Sequence, residues 1–295
     1  MTSAVEAIRT PLATGKSAER SLKSLVFALT LMLCLLVGLL ALLTLLFDVF
    51  RDGAGRLSWD FVNSFDSRRS ERAGIKPAFV GSLWLMGFVA VISFPLGVGA
   101  ATYLEEFAPK NRFTRFIELN IANLAAVPSV IYGLLGLAVF VRFMHLGRNI
   151  VAGALTLVLL ILPIIIVAAR EAIRAVPPSI REGSLAVGAT LWQTTRHQTL
   201  PAAMPGILTG MILALSRAIG EAAPLITMGA LTYLSFTPGP FDQFTALPLQ
   251  IFNWISRPQT GYHEAAAAGI ILLLIVLLAM NAAAVILRNR FEKRW

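Results

Sequence analysis

The sequence predicts an all-α, polytopic membrane protein with six transmembrane helices, and three observations lead there. Apolar residues make up 57% of the 295, and the mean hydropathy is +0.74. Charged residues are only 14%, against roughly 25% in soluble globular chains. Several apolar runs reach the ~20 residues that cross a bilayer at ~1.5 Å each. The core expected from such a chain is lipid and helix–helix packing.

The formal net charge is +9. In a membrane chain an excess of this kind reports topology. No basic stripe interleaved with exposed aromatics accompanies it, which argues against nucleic acid as a partner. The single cysteine, Cys34, lies inside an apolar run. It excludes an intrachain disulfide and a cysteine-based metal site. His145, His197 and His263 are far apart in sequence, so no metal site is expected.

Residues 1–24 read as a polar, basic tail with Arg9, Lys16, Arg20 and Lys23. Thr14-Gly15-Lys16-Ser17 resembles the end of a phosphate-binding loop. The earlier glycine and the preceding strand that such a loop needs are missing, so no nucleotide-hydrolysing site is expected in this chain. Residues 25–50 form the first span. The run is too long for a signal-peptide core and no A-x-A-like site follows it, which favours a retained anchor. Residues 51–77 are a mixed-charge loop with Trp59, Phe61 and Phe65.

The remaining spans and the segments between them make up a core of residues 78–288, ahead of a C-terminal tail, 289–295. The second span runs to about Tyr103, with Gly81, Gly87, Gly97 and Gly99 for close helix approach and Pro95 as a kink. Phe113 to Ala126 is semi-polar and suits the membrane interface. The third span begins at Ala125 and ends near Phe143. The fourth covers about Ile150 to Ala169, with an interruption at Pro163. The fifth covers about Gly206 to Leu231, and the sixth about Ala265 to Leu287. The loop from Ser235 to Glu264 is rich in proline and aromatics. It reads either as an interfacial aromatic belt or as a plug or docking surface.

Six spans put both termini on one side. With the N terminus inside, inner segments carry fifteen basic residues and outer ones nine, leaving Arg217 within the membrane. The positive-inside rule therefore places both termini in the cytoplasm, although six of the outer cations crowd into residues 51–77.

The segment 174–205 then faces the cytoplasm. Pro177-Pro178 stops the preceding helix. Ser179, with Glu182 three residues on, matches a capping box. A helix from about Ile180 would carry Leu185 and Ala189 on one face, and Gly188 would let another backbone approach. Leu200-Pro201 and Pro205 would turn the chain back to the membrane. An ordinary helical hairpin satisfies these cues, but loops this long are usually functional or disordered.

Arg217 and Glu221, with Ser216 beside them, lie inside the fifth span. Spaced four apart on a helix, the two charges share a face. A charge at mid-membrane costs about 2.5–3.5 kcal/mol on insertion scales, so such residues face a polar cavity or pair with each other. A guanidinium suits phosphate or carboxylate oxygens. Anion contact and a structural ion pair both remain open on chemistry alone.

Two sets of residues carry a family resemblance. Glu182-Gly183-Ser184, three residues, Gly188, nine residues, then Gln198-Thr199-Leu200-Pro201 resembles the EAA signature of ABC-importer permeases. Gly183 and Ser184 replace its alanines, and Gln198 its isoleucine. Residues 215–225 (L-S-R-A-I-G-E-A-A-P-L), 127–134 (V-P-S-V-I-Y-G-L) and 247–258 (L-P-L-Q-I-F-N-W-I-S-R-P) resemble phosphate-specific ABC permeases of the PstA type. The resemblance covers roughly residues 75–290.

It implies the type I ABC-importer (MetI-like) permease fold, in a bacterial inner membrane. It also implies a phosphate importer assembled from this chain, a PstC-like permease, two ATPase subunits and an outer phosphate-binding protein. ATP and Mg would be used by the ATPase, with no cofactor and no catalytic residue on this chain. The resemblance assigns the substrate pathway to Arg217 and Glu221, with the neighbouring Ser216. It assigns ATPase coupling to Glu182, Gly183, Leu185, Ala186, Gly188, Ala189, Leu200 and Pro201.

Another oxyanion, such as molybdate or sulfate, is the nearest alternative substrate. An ion-driven secondary transporter or channel would need an inverted repeat and more intramembrane carboxylates. An intramembrane enzyme would need motifs such as H-E-x-x-H or G-x-S-x-G. None of these features is present.

Overall fold

The computed structural model describes residues 17–291, and these are helical or connect helices, with no strand among them. The Thr14–Ser17 motif, Arg9, Lys16, Lys293 and Arg294 fall wholly or partly outside the described residues. The chain divides into two units, residues 1–51 and 52–295, taken separately here. The first consists of most of α1 (Ser17–Gly53), which begins earlier and ends later than the expected 25–50. Its side chains are exposed on every face from residue 23 to residue 45. Apolar side chains on all faces suit a helix surrounded by lipid.

The second unit is built around α6 (Ile150–Arg174). Ile150, Leu157, Ile161, Ile165 and Ile173 along it are fully buried. The helix α3 (Lys76–Thr102), extended by a π-turn through Phe107, packs on one side of it, and α9 (Leu200–Ile219) on another. Close approach explains some of the glycines. A Cβ on Gly97 would strike Ile165, and one on Gly81 the Thr245 backbone, whereas Gly87 and Gly99 face open space. Pro163 lies inside α6 without interrupting it, contrary to expectation. Its ring occurs in a helix packed on several sides, where neighbours hold the turn.

Among the described residues five helices are long and apolar enough to cross a membrane, and the number rises to six when one bent pair is taken as a single span. That pair is α4 (Arg112–Leu124) followed by α5 (Ser129–Gly136) with its π-turn to Phe143, bent by 103°. The expected third span, 125–143, therefore starts later. Fifteen residues reach only about 22 Å, short of a ~30 Å hydrocarbon core. Pro128 sets the new start, and α4 exposes Phe113 and Phe116, as an interface-lying helix does.

Between α1 and α3 lie a short helix, α2 (Trp59–Asn63), and a 3-10 turn at residues 70–72. The aromatic loop beyond α9 contains α11 (Leu247–Ile255), and α12 (Thr260–Phe291) closes the chain. Phe244 and Trp254 from this loop are fully buried, while Phe241 and Phe252 are exposed. Phe244 and Trp254 are thus core residues and not part of an interfacial belt. Trp254 Nε1 donates to Asp66 Oδ1 at 3.1 Å, Tyr262 Oη to Ser67 O at 2.9 Å, and Arg257 lies 4.4 Å from the Tyr262 ring centroid. These bonds join the 52–75 loop to the 235–264 loop in one cap.

Candidate functional site

The fifth span does not run unbroken to Leu231. The helix α9 stops at Ile219, Gly220 caps it, and a short helix, α10 (Ala223–Met228), follows with Pro224 in its first turn. Arg217 sits in the last turn of α9. Glu221 lies in the break and not on the helix, a correction to the shared helical face. The two nonetheless meet, with Arg217 Nε donating to Glu221 Oε1 at 3.3 Å. Arg217 is 47% exposed and Glu221 19%. Among the described residues the two terminal guanidinium nitrogens of Arg217 have no partner. An ion pair that uses one nitrogen of five N–H donors leaves a fork free for an oxyanion.

Glu221 backs onto a crevice that Ser82, Leu85, Ala246 and Pro248 help to line, of about 10 Å³. That is room for about one water. The open side of the pair is that of Arg217, the more exposed of the two. The three stretches that resemble PstA-type permeases converge here. Gly133 of α5 lies so close to Thr227 and Pro224 of α10 that a Cβ would not fit. Pro248 of α11 shares the Glu221 crevice.

Ser216 is half-buried, and its Oγ lies 2.8 Å from Ile212 O and 2.7 Å from Asn281 Oδ1 of α12. It anchors α9 to α12 and does not join Arg217 through any hydrogen bond. Asn281 escaped notice in the sequence, although a lone amide in the apolar run 265–287 was a usable signal. Arg148 also escaped notice. Its guanidinium lies beside Gly229, at φ +93°, where a Cβ would sit 3.0 Å from Nε.

The expected hairpin occupies less of the chain than 174–205. The helix α6 ends at Arg174, Pro178 opens α7 (Pro178–Ala186), and from Leu191 a helix runs to Ile219. That last helix comprises α8 (Leu191–Thr194), a π-turn at residues 195–199, and α9. Leu200-Pro201 therefore does not end the segment. The π-turn widens the ladder just where Pro201 lacks an N–H.

Ser179 and Glu182 form no capping box, because Pro177 occupies the N-cap. Thr190 and Gln193 form one instead, with Thr190 N donating to Gln193 Oε1 at 2.8 Å. Gly188 sits at φ +89° with open space around it. Its role within this chain is to end α7 in a left-handed turn. Ala189 consequently lies past the helix and off the Leu185 face.

Glu182, Gly183, Leu185, Ala186 and Gly188 are exposed together on this hairpin. Leu200 instead packs inward with Ile173, Val176 and Ala203, and Pro201 is exposed farther along the helix. Val187 and Trp192, 85% and 56% exposed, extend the apolar hairpin surface. The hairpin is held by Arg181, whose Nε and Nη2 donate to Glu106 Oε1 at 3.0 and 2.8 Å. The same side chain donates to Val176 O and Ile173 O at 2.8 and 2.7 Å. Ser184 Oγ and Thr194 Oγ1 lie 2.9 Å apart, tying α7 to α8.

The chain is 36% identical over 223 residues to a probable ABC transporter permease, YqgI, of Bacillus subtilis, covering 75% of each chain. It is 32% identical over 233 residues to the phosphate transport system permease PstA of Haemophilus influenzae, covering 78% of this chain and 81% of that one. Its fold is similar to a chain in the crystal structure of a bacterial alginate ABC transporter bound to its periplasmic protein. That similarity has a TM-score of 0.65 at 18% identity and covers 93% of this chain and 96% of the other. The fold is thus that of type I, MetI-like importer permeases. Residues 93–295 match the family described as binding-protein-dependent transport system inner membrane component, and the chain belongs to that family as a multi-pass permease component of an ABC importer.

Proposed function

We propose that this chain forms half of the membrane pathway for inorganic phosphate in a bacterial importer driven by ATP hydrolysed on other subunits. The observation that carries the reading is the half-exposed Arg217, with Nε occupied by Glu221 and its remaining donors free. Similarity to permeases named for phosphate transport supports it. The other half of the pathway is a PstC-like permease. Two ATPase subunits use ATP and Mg and press on the Glu182–Gly188 hairpin, and a phosphate-binding protein docks on the opposite side. Both termini and the hairpin are cytoplasmic, as the basic-residue distribution favours.

In this mechanism closure of the ATPase pair moves α7, and α6 and α9 carry the motion to the break at Gly220. When the permease pair opens outward, Arg217 offsets the desolvation of the arriving anion. Glu221 orients the guanidinium and, by repelling the anion, keeps it from binding too tightly to leave. A guanidinium accepts any oxyanion, so the binding protein makes most of the choice among them.

The test is radiolabelled phosphate uptake in a strain lacking this chain, complemented with wild type or Arg217→Gln. The variant is expected to assemble with its ATPase and to transport nothing. Normal uptake by the variant, or wild-type uptake of molybdate or sulfate in place of phosphate, overturns the reading.

A further inference from the structure

A second cluster of cations lies at the end of the spans where the hairpin sits, away from Arg217. A cavity of about 720 Å³ opens there between the end of α3, the start of α4 and the end of α6. This is within the size range of ligand pockets, about 300–1,000 Å³. Five cations line it, and two of them have acidic partners. Arg170 Nη2 pairs with Glu118 Oε1 at 2.7 Å, and Arg174 Nη2 with Glu105 Oε2 at 3.0 Å. Lys110, Arg112 and Arg115 have no carboxylate partner among the described residues. Arg170 Nε is buried without a hydrogen bond.

The same helix α4 that supplies Arg112 and Arg115 exposes Phe113 and Phe116, at 69% and 61%. Three free cations beside two bare rings call for a ligand with both an anionic head and an apolar body. We propose that this cavity binds the phosphate-bearing headgroup of an acidic phospholipid, with the Phe113 and Phe116 rings against its acyl chains. Basic pockets between spans are suited to such headgroups, and aromatic rings to the interface just below them. Inorganic phosphate would satisfy the cations but make no use of the rings. Glu105 and Glu106 are adjacent, and Glu106 holds the hairpin through Arg181. The lipid therefore sits one residue from the hairpin's anchor, where it stiffens the base from which α7 moves.

Native mass spectrometry of the complete purified transporter tests this, with phosphatidylglycerol and phosphatidylcholine titrated in the absence of transport substrate. Wild type is expected to retain phosphatidylglycerol in preference. Lys110→Gln, Arg112→Gln and Arg115→Gln should each weaken that binding about fivefold, from ~1 kcal/mol per cation near an anionic headgroup, with phosphatidylcholine unaffected. Arg112→Lys with Arg115→Lys keeps the charge and should keep the lipid, which separates charge loss from misfolding. Equal retention of phosphatidylglycerol by wild type and the glutamine variants overturns the proposal. So does a parallel loss of phosphatidylcholine, or displacement of the lipid by millimolar inorganic phosphate. None of these outcomes depends on what Arg217 transports.

Discussion

Arg217 Nε donates to Glu221 Oε1 at 3.3 Å across the point where α9 ends. The contact resembles an ordinary i,i+4 pair, yet only one member is helical. Glu221 lies just past the last turn of α9 and is still held to it, its N–H donating to Ala218 O at 3.2 Å. With Arg217 half exposed and a single contact at 3.3 Å, the pair is a weak anchor for the fold. Its consequence lies in what it leaves to the guanidinium.

If Arg217 meets the anion as proposed, Glu221→Gln removes the negative charge beside it while keeping a hydrogen-bond acceptor for Arg217. Phosphate uptake should saturate at a lower concentration and a lower maximal rate, because release slows. The measurement is initial uptake rate against phosphate concentration. An unchanged maximal rate would remove Glu221 from the release step.

Gly229→Ala should destabilise the chain by about 1–2 kcal/mol, the cost of a left-handed residue with a side chain. The Arg148 guanidinium would also meet the new methyl group, but the end of a flexible side chain yields easily. The backbone term therefore dominates. Adding Arg148→Ala to Gly229→Ala should restore little of the lost thermal midpoint in detergent, and full recovery would show that crowding was the cause.

Asp66 is 6% exposed and joins two loops nearly two hundred residues apart through Trp254, with Arg257 Nη2 3.8 Å from its other oxygen. Asp66→Ala leaves the Trp254 N–H buried and unpaired, at a cost of about 1–3 kcal/mol. The thermal midpoint should fall and Trp254 fluorescence should shift as water enters. An unchanged midpoint would mean that the cap closes without this bond.

That cap marks the boundary of what the sequence could tell. Composition and run length foretold α3, α6 and α12 because a bilayer demands long apolar stretches, a requirement met locally. Pro177-Pro178 likewise ended α6 where expected. Trp254 and Phe244 looked like belt residues because nothing local reports a partner such as Asp66 or Gly153. Ser179 and Glu182 fitted a capping pattern, but Pro178 began the helix earlier and Thr190 with Gln193 took the motif. The break at Gly220 was readable from Gly220 and Pro224 together, yet the apolar run on either side hid it. The pairing of Arg217 with Glu221 was legible at the right spacing for the wrong reason.

Arg181 is the polar joint between α7 and the ends of α3 and α6. It makes four hydrogen bonds, two to Glu106 and two to carbonyls at the end of α6. Glu106 is 6% exposed, so Arg181→Ala leaves an unpaired buried carboxylate, worth about 3–5 kcal/mol if it stays charged. The chain can avoid part of that cost by releasing the end of α3 and letting α7 drift. If α7 transmits the work of the ATPase, such drift disconnects hydrolysis from transport while leaving Arg217 intact. Arg181→Ala should then abolish uptake, with ATP hydrolysis by the reconstituted complex no longer stimulated by the binding protein. The exchange Arg181→Glu with Glu106→Arg should restore part of the stimulation, since the charge pair re-forms although the carbonyl bonds do not. Stimulated hydrolysis and normal uptake in Arg181→Ala would show that the hairpin bears no load through this joint.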